Sequence, residues 1–327
     1  MLAPTIEPLP GAALDFAIAA RDAYPAFLAD LESRTGIAVA LDRRGILELA
    51  HTRERARTLE PAVRVGNGLR WLGPDALRRE EPALAPSSGA VLHPLDGAVD
   101  NVALLAALER ATAAHSSVRR MNASVERITR SSAGAAVHLD SGEQVTARSI
   151  VLAAGAWSSR IEGLPRALHV EPARGQMLSV RSDTLGHVVY AEHVYLVPRP
   201  DERILIGATM EQVGFDNSTT PQALDALRRH AIAVAPALGE SEVLASWAGL
   251  RPMTPDGLPV MGADPEWPSL LYACGHSRNG ILMAPLTGEC IAALAAGEEP
   301  SADLTAFDVR RFAGSAQSSS LAGVRGD

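Results

Sequence analysis

The sequence contains no lysine, so all thirty basic residues are arginine. That excludes a Schiff-base lysine and a phosphate-loop lysine together. Cysteine is nearly absent as well. Cys274 and Cys290 are too few for a disulfide framework or a structural zinc site, and they read as small buried hydrophobes in a reducing compartment. Aromatic residues make up only 4% of the chain and the net charge is -8, so both the stacking surface and the positive field of a nucleic-acid binder are missing. No apolar run is long enough to span a membrane and the N-terminus has no signal-peptide pattern, which makes a cytoplasmic protein without a membrane partner the expectation. The nine histidines show no metal spacing, and no Ser/His/Asp order stands out. With no metal and no evident catalytic acid, base or nucleophile, the chemistry is expected to rest on a bound cofactor.

What is present is an ordinary globular composition, 47% apolar and 21% charged over 327 residues, enough for two compact units. The opening Met1–Pro10 is apolar and proline-rich and reads like the middle of a structure. Phe16, Ala20, Tyr24, Phe27, Leu28 and Leu31 have helical spacing from Leu14 to Ser33, with Gly36 as a stop and Pro25 as a predicted kink or break. Strands are predicted at 37–41 and 45–50 around an Asp42-Arg-Arg turn and at 89–93. Asp75 is read as the cap of a short helix, and Asp100 as the cap of a helix with Val102, Leu105, Leu108 and Ala111 on its apolar face. Asp140-Ser-Gly142 joins two strands in a hairpin, and 149–156 reads as a buried parallel strand with a tight exit loop. Further strands are predicted at 170–181, 187–199, 203–210 and 270–274. Thr220 and Pro221 open another helix, and 286–296 reads as the last. Separated strands of two kinds, short apolar runs near helices and a longer antiparallel set, suggest two intertwined domains of mixed α/β architecture.

Two arginines stand out. Arg251, between Leu250 and Pro252, and Arg278, between Gly275 and Gly280, both lie in segments that read as rigid Gly/Pro-rich turns. A guanidinium held there needs an acidic partner, either a protein carboxylate or the carboxylate of a ligand. Loop 275–280 precedes a helix whose N-terminus favours negative charge, although an ordinary strand-to-helix loop reads the same way. Tyr195 faces opposite to Val194 and Leu196 on its strand, the placement that alternation gives any half-buried tyrosine.

Taken in order, Val151-Leu-Ala-Ala-Gly-Ala-Trp-Ser158, Val170 to Leu178, Tyr195-Leu-Val-Pro-Arg199, Ile206-Gly-Ala-Thr-Met210, Trp247 to Pro252 and Gly275-His-Ser-Arg-Asn-Gly280 resemble the D-amino-acid oxidase family of FAD-dependent oxidoreductases. The resemblance runs from Met1 to about Phe312 and is greatest to the family's glycine-oxidising members of thiamine biosynthesis. It implies a Rossmann-like FAD-binding domain (1–35, 93–162 and 249–313) interleaved with an antiparallel-sheet substrate domain (36–92 and 163–248), leaving a disordered tail at 314–327. By the same resemblance Arg251 pairs with the substrate carboxylate, Tyr195 and Arg278 orient it, and Met210 lines the pocket. FAD would meet Met1, Val125, Ala153, Ala154, Gly155, Ala156 and Trp157. Its ring would be wrapped by Gly275, His276, Ser277, Arg278, Asn279, Gly280, Ile281 and Leu282. No side-chain acid or base is implied. The reaction implied is oxidative deamination of glycine or a related small amino acid, with hydride leaving the Cα for the flavin and with molecular oxygen as the second substrate. Sarcosine-type or D-amino-acid oxidation is the alternative, and a homo-oligomer is left open.

Members of that family begin with a βαβ unit carrying G-x-G-x-x-G and an acidic residue for the ribose. Neither is found in this sequence. The expectation drawn from the mismatch is a chain truncated at its N-terminus, with an inactive remnant or a carboxylate-binding module as the contrasting class.

Overall fold

A computed structural model describes residues 1–63 and 68–312, so the expected tail at 314–327 lies outside the described residues. The helices are α1 (Ala12–Thr35), α2 (Arg53–Val63), α3 (Pro74–Glu80), α4 (Asn101–Ala114), α5 (Pro221–Val234) and α6 (Gly280–Ala296). The first strands are β1 (Leu41–Asp42), β2 (Ile46–Ala50), β3 (Arg70–Leu72), β4 (Gly89–His93), β5 (Ala98–Val99), β6 (Val125–Ser131), β7 (Gly134–Leu139) and β8 (Gln144–Ala147). The remainder are β9 (Ile150–Leu152), β10 (Glu171–Arg181), β11 (Val188–Ala191), β12 (Val194–Arg199), β13 (Arg203–Gly207), β14 (Val243–Met253), β15 (Val260–Ala263) and β16 (Leu270–Cys274). Among the described residues no helix is long and apolar enough to cross a membrane.

The largest sheet has eight strands in the order β14-β10-β13-β12-β11-β2-β4-β3. Its pairs are antiparallel except at β11–β2, where Val188 registers with Ile46 and Tyr190 with Glu48. A three-stranded sheet, β15-β16-β9, has β9 parallel to β16, and β6-β7-β8 form a separate meander. The fold is therefore mixed α/β, as the sequence predicts.

Local signals account for much of this. Asp100 Oδ1 accepts from the Val102 and Ala103 amides at the start of α4, a cap that contributes about 1 kcal/mol. Thr220 does the same for the Ala223 amide, ahead of Pro221 at the first position of α5. Helix α1 ends where Gly36 turns left-handed (φ 70°) and its amide bonds to the Glu32 carbonyl.

Several predicted details are corrected. Helix α1 runs through Pro25 without a break, with Tyr24 and Leu28 buried on either side of it. The strand expected at 37–41 shrinks to β1 at Leu41–Asp42, and the two strands do not pair with each other: β1 pairs with β5, whereas β2 pairs with β4 and β11. Asp75 lies in the first turn of α3, which Gly73 caps. The buried face of α4 is Leu104 and Ala107, while Val102 is 73% exposed. The stretch 187–199 folds as two strands turning at Glu192 and His193. Strand β9 is parallel but only partly buried: among the described residues it pairs with β16 alone, and Val151 is 43% exposed while Leu152 is buried. Helix α6 starts at Gly280 rather than at 286.

Two large cores result. One joins α1, α4 and α6, with Phe16 packed edge-on against Phe307 at 5.1 Å. The other fills the space between α5 and the large sheet through Leu178, Leu196, Ile204, Ile206, Leu227 and Leu238. A buried polar cluster ties the N-terminal segment between them. Thr5 Oγ1 donates to Asp96 at 2.7 Å and lies 2.7 Å from His93 Nδ1, while Arg21 reaches Asp96 at 3.0 Å and His93 Nε2 lies 3.2 Å from Glu48. Leu2 and Gly97 add a reciprocal pair of backbone bonds at 2.7 and 2.9 Å. Residues 1–7 are held along the large sheet by these contacts.

Candidate active site

The segment held this way forms one wall of a cavity of about 460 Å3. Met1, Ala3 and Glu7 come from the N-terminal segment and Arg278 and Asn279 from the loop before α6. Tyr190, Tyr195, Thr209, Met210 and Arg251 come from the large sheet and the loop after β13, and Ala226, Leu227 and His230 come from α5.

Arg251 is not in a turn. It lies on β14, opposite Ala173 of β10, in a ladder that also pairs Gly249 with Gly175 and Pro252 with Pro172. Its guanidinium lies against Gly175, where a Cβ would come within 2.0 Å of Nη1, so the absence of a side chain there is what makes room for it. Its Nη1 donates to the Thr209 carbonyl at 3.0 Å, and the Tyr195 hydroxyl is a further hydrogen-bonding neighbour. Among the described residues no carboxylate pairs with it. A permanent charge, partly shielded from water and met only by neutral oxygens, retains most of its capacity for an anionic ligand.

Tyr195 projects from β12 beside it, packed over Gly207, where a Cβ would meet the ring at 2.7 Å. Its hydroxyl donates weakly to Met177 Sδ at 3.7 Å. Burial pushes this phenol above its ordinary pKa, and the Arg251 charge opposes the shift without cancelling it, so the hydroxyl stays a donor at neutral pH.

Arg278 differs from Arg251. Its Nη1 lies 2.7 Å from Glu7 Oε1, which also accepts a hydrogen bond from the Tyr190 hydroxyl at 2.5 Å. Burial first and Glu7 second push the Tyr190 phenol well above its usual range. Glu7 therefore neutralises Arg278 and fixes its position.

The loop after β16 is sharply bent. Gly275 (φ 69°) and Ser277 (φ 51°) are both left-handed, and the Ser277 amide donates to the Pro252 carbonyl at 2.9 Å. Helix α6 then begins without a side-chain cap, beside Arg278 and Asn279, and Ile281 is 40% exposed. His276 turns away, toward Thr287 Oγ1 at 3.2 Å, and burial lowers its pKa to about 4, so it adds no charge here. Cys274 is buried with its thiol pushed up to about 12, an inert packing group.

Met1, Tyr195, Met210, Arg251, Arg278 and Asn279 are thus brought together by the fold. Of the other expected cofactor residues, 275–277 and 280–282 flank Arg278 and Asn279 in the same loop and helix start, and the rest lie elsewhere. Ala153 to Trp157 follow β9 into a 3-10 turn at Gly155 (φ 54°), where Ala156 is buried and Trp157, half exposed, packs on Phe215 at 5.6 Å. Val125 opens β6 in the separate meander. Glu7, Tyr190, Glu192, His193 and His230 were not singled out by sequence. The proline-rich opening marked the Glu7 segment as unusual, but nothing local ties Glu7 to an arginine far along the chain.

A sequence model described as FAD dependent oxidoreductase (DAO) matches residues 1–294. Glycine oxidase of Geobacillus kaustophilus is 35% identical over 308 residues, which cover 91% of this chain and 81% of that protein. The bifunctional protein ThiO/ThiG of a Synechocystis species is 34% identical over 321 residues, covering 95% of this chain but 47% of the relative, so the chain spans about half of its length. The crystal structure of the Geobacillus kaustophilus glycine oxidase superimposes with a TM-score of 0.90 at 34% identity, covering 95% of this chain and 86% of that one.

Proposed function

This chain belongs to the DAO family of FAD-dependent oxidoreductases, and from that premise we propose that it oxidises a small amino acid at the Cα–N bond, glycine being the reference substrate. The observation that carries the proposal is Arg251. Its guanidinium projects into the cavity with no carboxylate partner among the described residues, over a glycine that leaves room for it and beside a tyrosine that can donate. That is the arrangement a substrate carboxylate needs. The relatives named glycine oxidase and ThiO/ThiG support both the reaction class and a place in thiamine biosynthesis.

The cofactor of the family is FAD, and the loop before α6 suits one end of it. An uncapped helix start and a backbone bent at Gly275 and Ser277 offer amides and positive potential to an electron-rich planar group. We assign Gly275 to Leu282, with Met1, to the flavin side of the cavity, and Val125 and Ala153 to Trp157 to the remainder of the cofactor. Residues 1–35, 93–162 and 249–313 are the proposed FAD domain, and 36–92 with 163–248 the substrate domain. When bound, FAD supplies the oxidant for the substrate Cα, and molecular oxygen is the terminal acceptor.

The protein's own contribution is positioning. Arg251 and Tyr195 hold the carboxylate in one orientation, which directs the Cα and its amine toward the wall formed by Met1 and Asn279. Glu7 is engaged by Arg278 and Tyr190. Met210 and Ala3 restrict the space beside the Cα.

The test is direct. Flavin-loaded protein mixed with glycine should release hydrogen peroxide and glyoxylate in equal amounts. Flavin-loaded protein that forms no peroxide with glycine, sarcosine or D-alanine would refute the proposal.

A further inference from the structure

The cavity is large for the reference substrate. At about 460 Å3 it falls within the roughly 300–1,000 Å3 of pockets that enclose whole small-molecule ligands, whereas glycine has only a handful of non-hydrogen atoms. A planar ring against Met1, Ala3 and Asn279 still leaves a part lined by residues with no role in gripping one carboxylate at Arg251.

Two imidazoles define that part. His193, in the turn between β11 and β12, and His230, on α5, stand with ring centroids 5.2 Å apart and planes inclined by 35°, and both line the cavity. They converge because α5 packs over β12. Among the described residues neither ring is hydrogen bonded to a protein group, so their nitrogens are available to a ligand. The charged and titratable groups around the pair are Arg229 on α5, Glu192 in the same turn as His193, and His51 just after β2. The field of Glu192 bears on His51. Burial, then His193 and then Arg229, hold His230 below its ordinary pKa. An anion placed between the rings would oppose the effects that hold His230 below its ordinary pKa.

We propose that His193 and His230 form a second anion-binding subsite of this cavity, so that the preferred substrates are amino acids with a further carboxylate on the arm leaving the Cα or the amine nitrogen. The proposal rests on the reading that Arg251 holds the first carboxylate. Its thermodynamic signature is proton linkage. An anion favours the protonated imidazole, so binding draws a proton onto the site, and affinity rises as pH falls toward the range where His230, held below its ordinary value, takes that proton up.

Unreactive probes separate the two readings. Binding of succinate, glutarate, acetate and butyrate to the full chain is measured by calorimetry at pH 6 and pH 8.5, in buffers of different ionisation enthalpy. The dicarboxylates should bind about tenfold more tightly than the monocarboxylates at pH 6, with net proton uptake. That advantage should shrink at pH 8.5 and vanish in both His193→Gln and His230→Gln, while acetate affinity is unchanged in each. Equal affinity for succinate, glutarate and acetate at pH 6, or an advantage that survives both substitutions, overturns the subsite and leaves the Arg251 reading intact. Acetate that fails to bind the unaltered chain, or binds Arg251→Ala equally well, overturns the Arg251 reading and the subsite with it.

Discussion

Arg174 and Arg251 lie on neighbouring strands, β10 and β14, and their surroundings are opposite. Arg174 is buried and bonded to Glu211 at 2.7 Å, to Asp216 at 2.6 Å and to the Ser218 carbonyl at 3.2 Å. Arg251, on the face of the sheet shared with Ala173 and Gly175, meets the Thr209 carbonyl and the Tyr195 hydroxyl and, among the described residues, no carboxylate. Two identical side chains on adjoining strands thus differ, one ion-paired with two acids and the other, among the described residues, with none. The difference teaches that an arginine's meaning lies in what it lacks: where two acids converge it is tied into the fold, and where none does its charge is left for the ligand role proposed for Arg251. Arg278, with one carboxylate, falls between them.

The strongest way to break this contrast is Arg251→Ala. Loss of a charge-assisted pair should cost about 2–5 kcal/mol of substrate interaction, seen as a fall in kcat/KM with little change in melting temperature. An unaltered kcat/KM for glycine would show that the lack of a partner means nothing. Gly175→Ala comes next. The added Cβ displaces the guanidinium at its flexible end, so the fold should survive, whereas misplacement of this kind lowers kcat/KM by about a hundredfold. A variant that melted early but kept its kinetics would point to a packing role for the glycine. Arg278→Ala should cost about tenfold or less, because Glu7 already neutralises that charge; a loss matching that of Arg251→Ala would place both arginines on the substrate.

The smallest kinetic effect is expected from Arg174→Gln, whose signature is instead pH-dependent stability. Burial raises the Glu211 carboxyl, but hydrogen bonds from Thr209, Arg174 and Gln176 outweigh it and hold the pKa below its ordinary value. Bonds from Ser218, then the Arg174 charge, lower that of Asp216. Carboxylates with lowered pKa stabilise the folded state above their unfolded values, and the contribution is lost as pH falls through the lowered ones. Thermal melts of the wild-type protein should therefore lose more stability than those of Arg174→Gln as pH drops from about 5 to 3. Parallel melting curves for the two proteins would remove Arg174 from its bracing role.

Much of this contrast was hidden from sequence for a physical reason. Arg251 drew notice by its neighbours, but Gly249 and Pro252 read as turn formers. In the fold they face Gly175 and Pro172 across a paired strand, so each irregular residue meets another. Caps at Asp100 and Thr220 and the hairpin at Asp140-Ser-Gly142 were legible because their chemistry is local. The break between β11 and β12 was not, since Glu192 and His193 carry no turn signal. Glu7, Tyr190 and His230 meet their partners only through tertiary folding, and no periodicity marks them.

The parallel junction of β2 with β11 has a consequence for biosynthesis. One edge of β2 is matched soon after it emerges, by β4, but the other must wait until Val188 to Tyr190 have been made. For that interval a nascent chain carries an open, apolar strand edge. Contacts so distant in sequence form slowly, and such edges are prone to intermolecular pairing. Yield in a heterologous host should accordingly improve when translation is slowed by cooling or when holdase chaperones are supplied, independently of any change at the cavity.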